Sequence, residues 1–257
     1  MVLPGLEGVD TVVLDIEGTV CPISFVKDTL FPYALTALSS VVKDRWDSPD
    51  FRPYRDAFPA EAQGSPEAFE AHVQDLTARD VKIAYLKNLQ GYLWLAGYEN
   101  GAYSTPLFED VEPQLQHWKQ SGLTLVIYSS GSVFAQKLLF RHVKRPQSSP
   151  DEQNGPLNLS GLISDWFDTT NAGLKMEASS YSTISQRLGR ASGGILFLSD
   201  NVKEVKAATE AGMKAIVVDR PGNAPLSEED RKTYKVVDSL YDISLSIAQI
   251  DSRFWKR

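Results

Sequence analysis

The sequence predicts an α/β protein, with a parallel sheet flanked by helices and a helical subdomain inserted after the first strand. Three observations predict it. From residue 123 onward, short apolar runs rich in β-branched residues alternate with stretches of helical periodicity. One further run of the same kind, "TVVLD" at 11–15, stands alone near the start. Between them lie about 95 residues of helical periodicity with almost no strand signal, too long for a loop in a compact domain.

The elements follow in order. "TVVLD" is a short β-rich run with the apolar centre Val12–Leu14, as expected of a strand buried on both faces. The insertion is assigned to 21–115, and the core to 1–20 and 116–257, with the chain crossing near Cys21–Pro22 and near Ser104–Pro106. Its clearest helical stretches are 31–46 and 65–89. Ser65 followed by Pro66 and Glu67 is a helix start, an N-cap with proline at the first position. Then come a strand at 123–128, a helix at 132–143, a strand at 162–167 and a helix at 176–189 closed by Gly189. A strand at 194–199, a helix at 202–212 and strands at 214–219 and 235–239 complete the series. The segment 143–161, polar and rich in Pro and Gly, reads as an exposed loop.

Composition narrows the function. The net charge is -7, which offers no basic footprint for nucleic acid. The single cysteine, Cys21, excludes an internal disulfide and four-cysteine zinc sites, and reads as a small packed residue in a reducing compartment. No apolar run approaches the roughly 18 residues of a membrane span, and no secretory signal is legible. These features point to a cytoplasmic protein with no membrane partner; a monomer is expected.

Open parallel sheets bind ligands beyond the carboxyl ends of their strands. That rim collects Asp15 and Glu17 after the first strand, and Ser129 and Ser130 after the second, with Gly131 opening a helix. Lys175 precedes the helix at 176–189, and Asp200 follows the strand at 194–199, with Glu204 one helical turn later. Several carboxylates on one rim repel unless a cation joins them, and a set of oxygen donors suits Mg2+. The hydroxyls, the helix start and Lys175 suit a phosphate. A carboxylate held against a metal-bound phosphate can attack phosphorus and form an aspartyl-phosphate. Gly18–Thr19 would let backbone N–H groups approach that phosphate. Each piece has a plainer reading: a turn aspartate at 15, a solvated charge at 175, an N-cap at 200.

Taken in order, "DIEGT", the hydroxyl-ended second strand, the lysine and "SDNVKE" resemble the four motifs of the haloacid dehalogenase superfamily. "LDIEGTVCPISFVKDTLFPYA", "YSSGSVFAQKLLF", "FDTTNAGLKMEASSY" and "RPGNAPL" further resemble the enolase-phosphatases of methionine salvage, over most of residues 11–225. The resemblance implies a Rossmann-like core of the haloacid dehalogenase type with a helical cap. It implies an enzyme that enolises 2,3-diketo-5-methylthiopentyl-1-phosphate and then removes the phosphate to give the acireductone, with Mg2+ as cofactor, in the cytoplasm and the nucleus. Carried over by position, Asp15 would be nucleophile and metal ligand, and Glu17 a catalytic residue facing the metal through its main chain or carboxylate. Ser129 and Ser130 would bind substrate, Lys175 would hold nucleophile and phosphate, and Asp200 would complete the metal site. The superfamily generally has Asp where Glu17 stands, but this family is known by Glu there.

The nearest alternative is another small-molecule phosphatase of the same fold without the enolase step. A binding module that has lost catalysis is disfavoured by the complete set Asp15, Glu17, Lys175 and Asp200. A serine hydrolase built on "YSSGS" lacks the Gly-x-Ser-x-Gly elbow, and His117 reads as structural. Phe25, Phe31, Trp94 and Tyr98 read as cap core rather than as an apolar pocket.

Overall fold

The computed structural model describes residues 5–145 and 155–245. Within them a six-stranded sheet has the order β3-β2-β1-β4-β5-β6, with every pairing parallel. The strands are β1 Thr11–Leu14, β2 Thr124–Tyr128, β3 Asp165–Phe167, β4 Ile195–Ser199, β5 Lys214–Val218 and β6 Val236–Val237. Each begins or ends within three residues of the expected run. β1 and β4 are buried along their whole length, which is why they read as unbroken apolar runs. β1 lies between β2 and β4, with Leu14 opposite Ile127 and Leu198. The order reverses around β1, so the residues just past it stand at the switch point where such sheets bind ligands.

Residue contacts divide the chain into two units. One holds the described residues up to Pro22, Leu107–Ser130 and those from Leu159 on; the other holds Ile23–Pro106 and Gly131–Asn158. The second division falls after Pro106, where a crossing near Ser104–Pro106 was expected; residues 107–115, assigned to the insertion, lie in the sheet unit, where the helix Val111–Gln120 packs on β2. The helix Val133–Arg141 goes to the helical unit, packing against the helix Ala84–Glu99, where Phe134 meets Gly91. Periodicity shows that a helix has a buried face, not which surface covers it.

In the helical unit, Ser65 caps the helix Pro66–Ala78 by accepting from Ala68 N at 3.2 Å. The helical stretch 65–89 holds two helices. Asp80 takes φ +52° and Val81 N donates back to Leu76 O at 3.0 Å, ending the first helix before Ala84–Glu99 begins. A wide turn at Val26–Leu30 precedes the helix Phe31–Asp44, whose second residue is Pro32 and cannot donate a helical bond. Phe25, Trp94 and Tyr98 are buried inside this unit, with Trp94 Nε1 donating to Leu30 O at 2.7 Å. They are core of the insertion, as expected. Of the loop expected over 143–161, residues 146–154 lie outside the described residues, while Val143 and Leu157 exchange backbone hydrogen bonds at 2.9 and 2.8 Å.

Candidate active site

β1 delivers Asp15 to the rim. Asp15 N still donates to Leu198 O at 2.9 Å, so the residue is pinned to β4 as the chain leaves the sheet. The chain then turns back on itself: Ile16 O accepts from Val20 N and Cys21 N, each at 2.9 Å, and Gly18 N donates to Cys21 O at 2.8 Å. Gly18 sits at φ +71°, a conformation that side chains with a Cβ rarely adopt. Thr19 is fully buried, and its Oγ1 accepts from Asp200 N at 3.1 Å. Cys21 is fully buried, with its thiol pushed up by burial, so it is packing and not a nucleophile.

Lys175 reaches the same place from the loop ahead of the helix Ala178–Leu188. Three hydroxyls hold the loop: Tyr128 OH donates to Gly173 O at 2.8 Å, Ser180 Oγ to Leu174 O at 2.8 Å and Tyr181 OH to Lys175 O at 2.7 Å. The ammonium lies 2.7 Å from Asp15 Oδ1 and 2.6 Å from Glu204 Oε2, and is 7% exposed. The reading of Lys175 as a solvated charge is therefore excluded. Burial pulls the lysine pKa down, but Asp15 and Glu204 outweigh it, and the net shift is upward. The two carboxylates thus favour the charged ammonium.

Ile16 N also donates to Asp15 Oδ1 at 2.7 Å. Ser199 Oγ, at the end of β4, donates to Glu204 Oε2 at 2.8 Å and lies 3.4 Å from Asp15 Oδ2. With one proton to give, the hydroxyl serves Glu204. Asp200 follows directly. It is not the N-cap of the helix Val202–Glu210; Asn201 is, accepting from Lys203 N at 3.0 Å. Burial first, then the charges of Asp15 and Glu204, push the Asp200 carboxyl up to about 7. Burial likewise raises Glu204.

Ser129 is buried at the end of β2, its N donating to Phe167 O at 3.1 Å, and Ser130 is half-buried beside it. The chain passes to the helical unit between Ser130 and Gly131. Glu17 is half-buried, and its backbone bridges to Cys21. His117 is exposed on its helix. The structure thus joins Asp15, Lys175 and Glu204 in direct contact and ties Asp200 to the loop after Asp15. Ser199 and Thr19 complete that network and gave no sequence signal beyond their place beside the carboxylates. Glu204 was visible one turn after Asp200, without a role.

Among the described residues, no three His, Cys, Asp or Glu side chains form a ready-made metal cluster. The donor set fits a cation that takes one or two carboxylates and completes its shell with water and substrate phosphate, as Mg2+ does. Three carboxylates face one ammonium, and no Lys, Arg or His among the described residues pairs with Asp200. The absence of a side chain at residue 18 keeps the place open: a Cβ there would stand 2.5 Å from Asp200 Oδ2.

A sequence profile of haloacid dehalogenase-like hydrolases matches residues 9–212. The enolase-phosphatase E1 of Podospora anserina is 57% identical over 235 residues, covering 90% of this chain and 96% of its own. The protein of the same name from Verticillium alfalfae is 59% identical over 224 residues, covering 87% and 84%. The crystal structure of the UTR4 protein of Saccharomyces cerevisiae superposes with a TM-score of 0.78 at 40% identity, covering 90% of this chain and 98% of that one. A dehalogenase crystal structure, 19% identical with a TM-score of 0.53, shares the fold.

Proposed function

Since the chain belongs to the haloacid dehalogenase-like hydrolases and, within them, to the enolase-phosphatases, we propose that Asp15 is its nucleophile and Lys175 the cation that holds it. The enzyme converts 2,3-diketo-5-methylthiopentyl-1-phosphate to the acireductone and phosphate in methionine salvage. The observation that supports the assignment is Lys175 Nζ at 2.7 Å from Asp15 Oδ1 inside a buried rim.

In this reading the first half-reaction breaks a C–H bond at the carbon bearing the phosphate and delivers a proton to the neighbouring carbonyl oxygen, giving the enol phosphate. Glu17 is the proposed base: it leaves the same turn as Asp15 and is one methylene longer than an aspartate. In the second half, an Asp15 oxygen attacks phosphorus and the bond from phosphorus to the substrate oxygen breaks. Lys175 and the backbone N–H of Ile16 hold Asp15 by one carboxylate oxygen, which orients the other. Lys175 also offsets charge as the phosphate approaches. Water then cleaves the aspartyl-phosphate and restores Asp15. Ser129 and Ser130 are the proposed substrate hydroxyls. Asp15, Asp200 and the main chain of Glu17 would hold Mg2+. Bound there, the ion supplies charge neutralisation and polarises the carbonyl and phosphoryl oxygens.

No helix among the described residues is long and apolar enough to cross a membrane. The proposal extends to a monomer acting in the cytoplasm and nucleus, where the one buried thiol stays reduced. The test is turnover of the diketone phosphate with and without Mg2+, following phosphate and acireductone absorbance separately. Phosphate release without acireductone, or release from Asp15→Asn at the wild-type rate, overturns it.

A further inference from the structure

The loop after β5 reaches back to the turn after Asp15. Asn223 Nδ2 donates to Gly18 O at 2.9 Å and to Val218 O at 3.2 Å, which uses both of its protons. That fixes the orientation of the amide: reversed, its oxygen would face two carbonyl oxygens. Three residues earlier, Arg220 Nε donates to Thr19 O at 3.1 Å, and Arg220 is itself held by Asp110 at 2.9 Å. Two successive carbonyls of the turn, those of Gly18 and Thr19, are thus gripped by one loop.

The other end of the amide is unexplained by this clamp. Asn223 Oδ1 is buried and has no hydrogen-bond partner among the described residues. It lies 2.8 Å from the point a Cβ on residue 18 would occupy, and Asp200 Oδ2 lies 2.5 Å from that same point. A carboxyl oxygen and an amide oxygen therefore stand close to one spot, and no described residue donates to the amide one. A buried acceptor of this kind is costly unless something supplies a proton to it. Mg2+ keeps several of its waters when a protein binds it, and those waters are donors.

We propose that Asn223 is a positioning residue of the ion site: its Nδ2 holds Gly18 against Asp200, and its Oδ1 accepts from the water shell of the ion. The proposal rests on the assignment of Asp15 and Asp200 to that ion. Partners of this outer kind typically set metal affinity by about 10- to 100-fold.

The experiment is a MgCl2 titration of the whole protein without substrate, followed by melting temperature, since a ligand of the folded state raises it. Two quantities are read: the melting temperature without Mg2+, and the half-saturating Mg2+ concentration. A merely structural role would move the first and leave the second. Asn223→Ala is expected to raise the half-saturating concentration by about 10-fold or more. Asn223→Ser, which keeps a small polar group, is expected to show the same direction and stands in if the alanine variant does not fold. Asp200→Asn should lose the Mg2+ response. Wild-type half-saturation in the Asn223 variants, with the response lost in Asp200→Asn, overturns the proposal alone. A wild-type response in Asp200→Asn overturns the ion assignment and the proposal with it.

Discussion

Replacing Gly18 by Ala tests whether the turn after Asp15 sets the site. Two costs arise. The residue sits at φ +71°, where a Cβ costs about 1–2 kcal/mol. The new Cβ would also lie 2.5 Å from Asp200 Oδ2, 2.7 Å from Asp200 Cγ and 2.8 Å from Asn223 Oδ1, all well inside contact distance. The Asp200 carboxylate and the Asn223 amide are both ends of side chains and can shift, so the clashes are relieved by moving them and not by unfolding the core. The stability loss is then expected to stay near the backbone cost, about 1–2 kcal/mol. At roughly 2–4 °C per kcal/mol for a chain of this size, melting falls by about 2–8 °C. Activity should fall much further, because a displacement of about 1 Å in a site of this kind can cost about 100-fold. The assay is paired: thermal melting, and kcat for phosphate release at saturating substrate and Mg2+. A variant that melts low but keeps wild-type kcat would refute the link between Gly18 and Asp200.

Four further outcomes are expected. Asp15→Asn should abolish phosphate release while keeping a cooperative melt, and should still accumulate the enol phosphate. Lys175→Ala leaves Asp15 and Glu204 buried without their cation, an expected loss of about 3–5 kcal/mol at neutral pH in denaturant unfolding; an unchanged midpoint would place the lysine outside the network. Asp200, pushed up to about 7 by burial and by Asp15 and Glu204, binds its proton in the folded state where the unfolded chain has released it. Its stabilising share is therefore full below the ordinary aspartate value and lost as pH rises through about 7, so the ion-free protein should melt lower at pH 8 than at pH 6, with the trend flattened in Asp200→Asn. With a substrate deuterated at the phosphate-bearing carbon, Glu17→Gln should lose exchange that Asp15→Asn retains; wild-type exchange in Glu17→Gln would remove it as the base.

The parts legible in the sequence were those whose signal is local. β1 and β4 are buried on both faces, so their composition alone marked them as strands, and strand ends marked the rim. Asp15, Lys175 and Asp200 were picked out by order along the chain, and the structure places Lys175 against Asp15 and ties Asp200 to the turn after it. The break at Asp80 was not legible, because 79–83 holds neither Gly nor Pro and an aspartate takes the left-handed position instead. The affiliation of the helix Val133–Arg141 was hidden for a different reason: its apolar face fits a sheet or another helix equally well.

Contacts between distant residues left no trace at all. Asp200 N meets Thr19 Oγ1 across 181 positions, and Asn223 meets Gly18 across 205. The sorting of the carboxylates depends on such contacts. Lys175 could have paired with any acid on the rim. Glu204 secures it at 2.6 Å because the helix Val202–Glu210 starts just past β4 and the Ser199 hydroxyl meets the same carboxylate oxygen at 2.8 Å. Among the described residues Asp200 has no basic partner; its backbone is fixed by Thr19 and its oxygen lies against Gly18. In the proposed reading, the lysine thereby decides which carboxylate needs a divalent ion: Glu204 is already neutralised, Asp15 is shared, and Asp200 waits for the charge that only the ion brings.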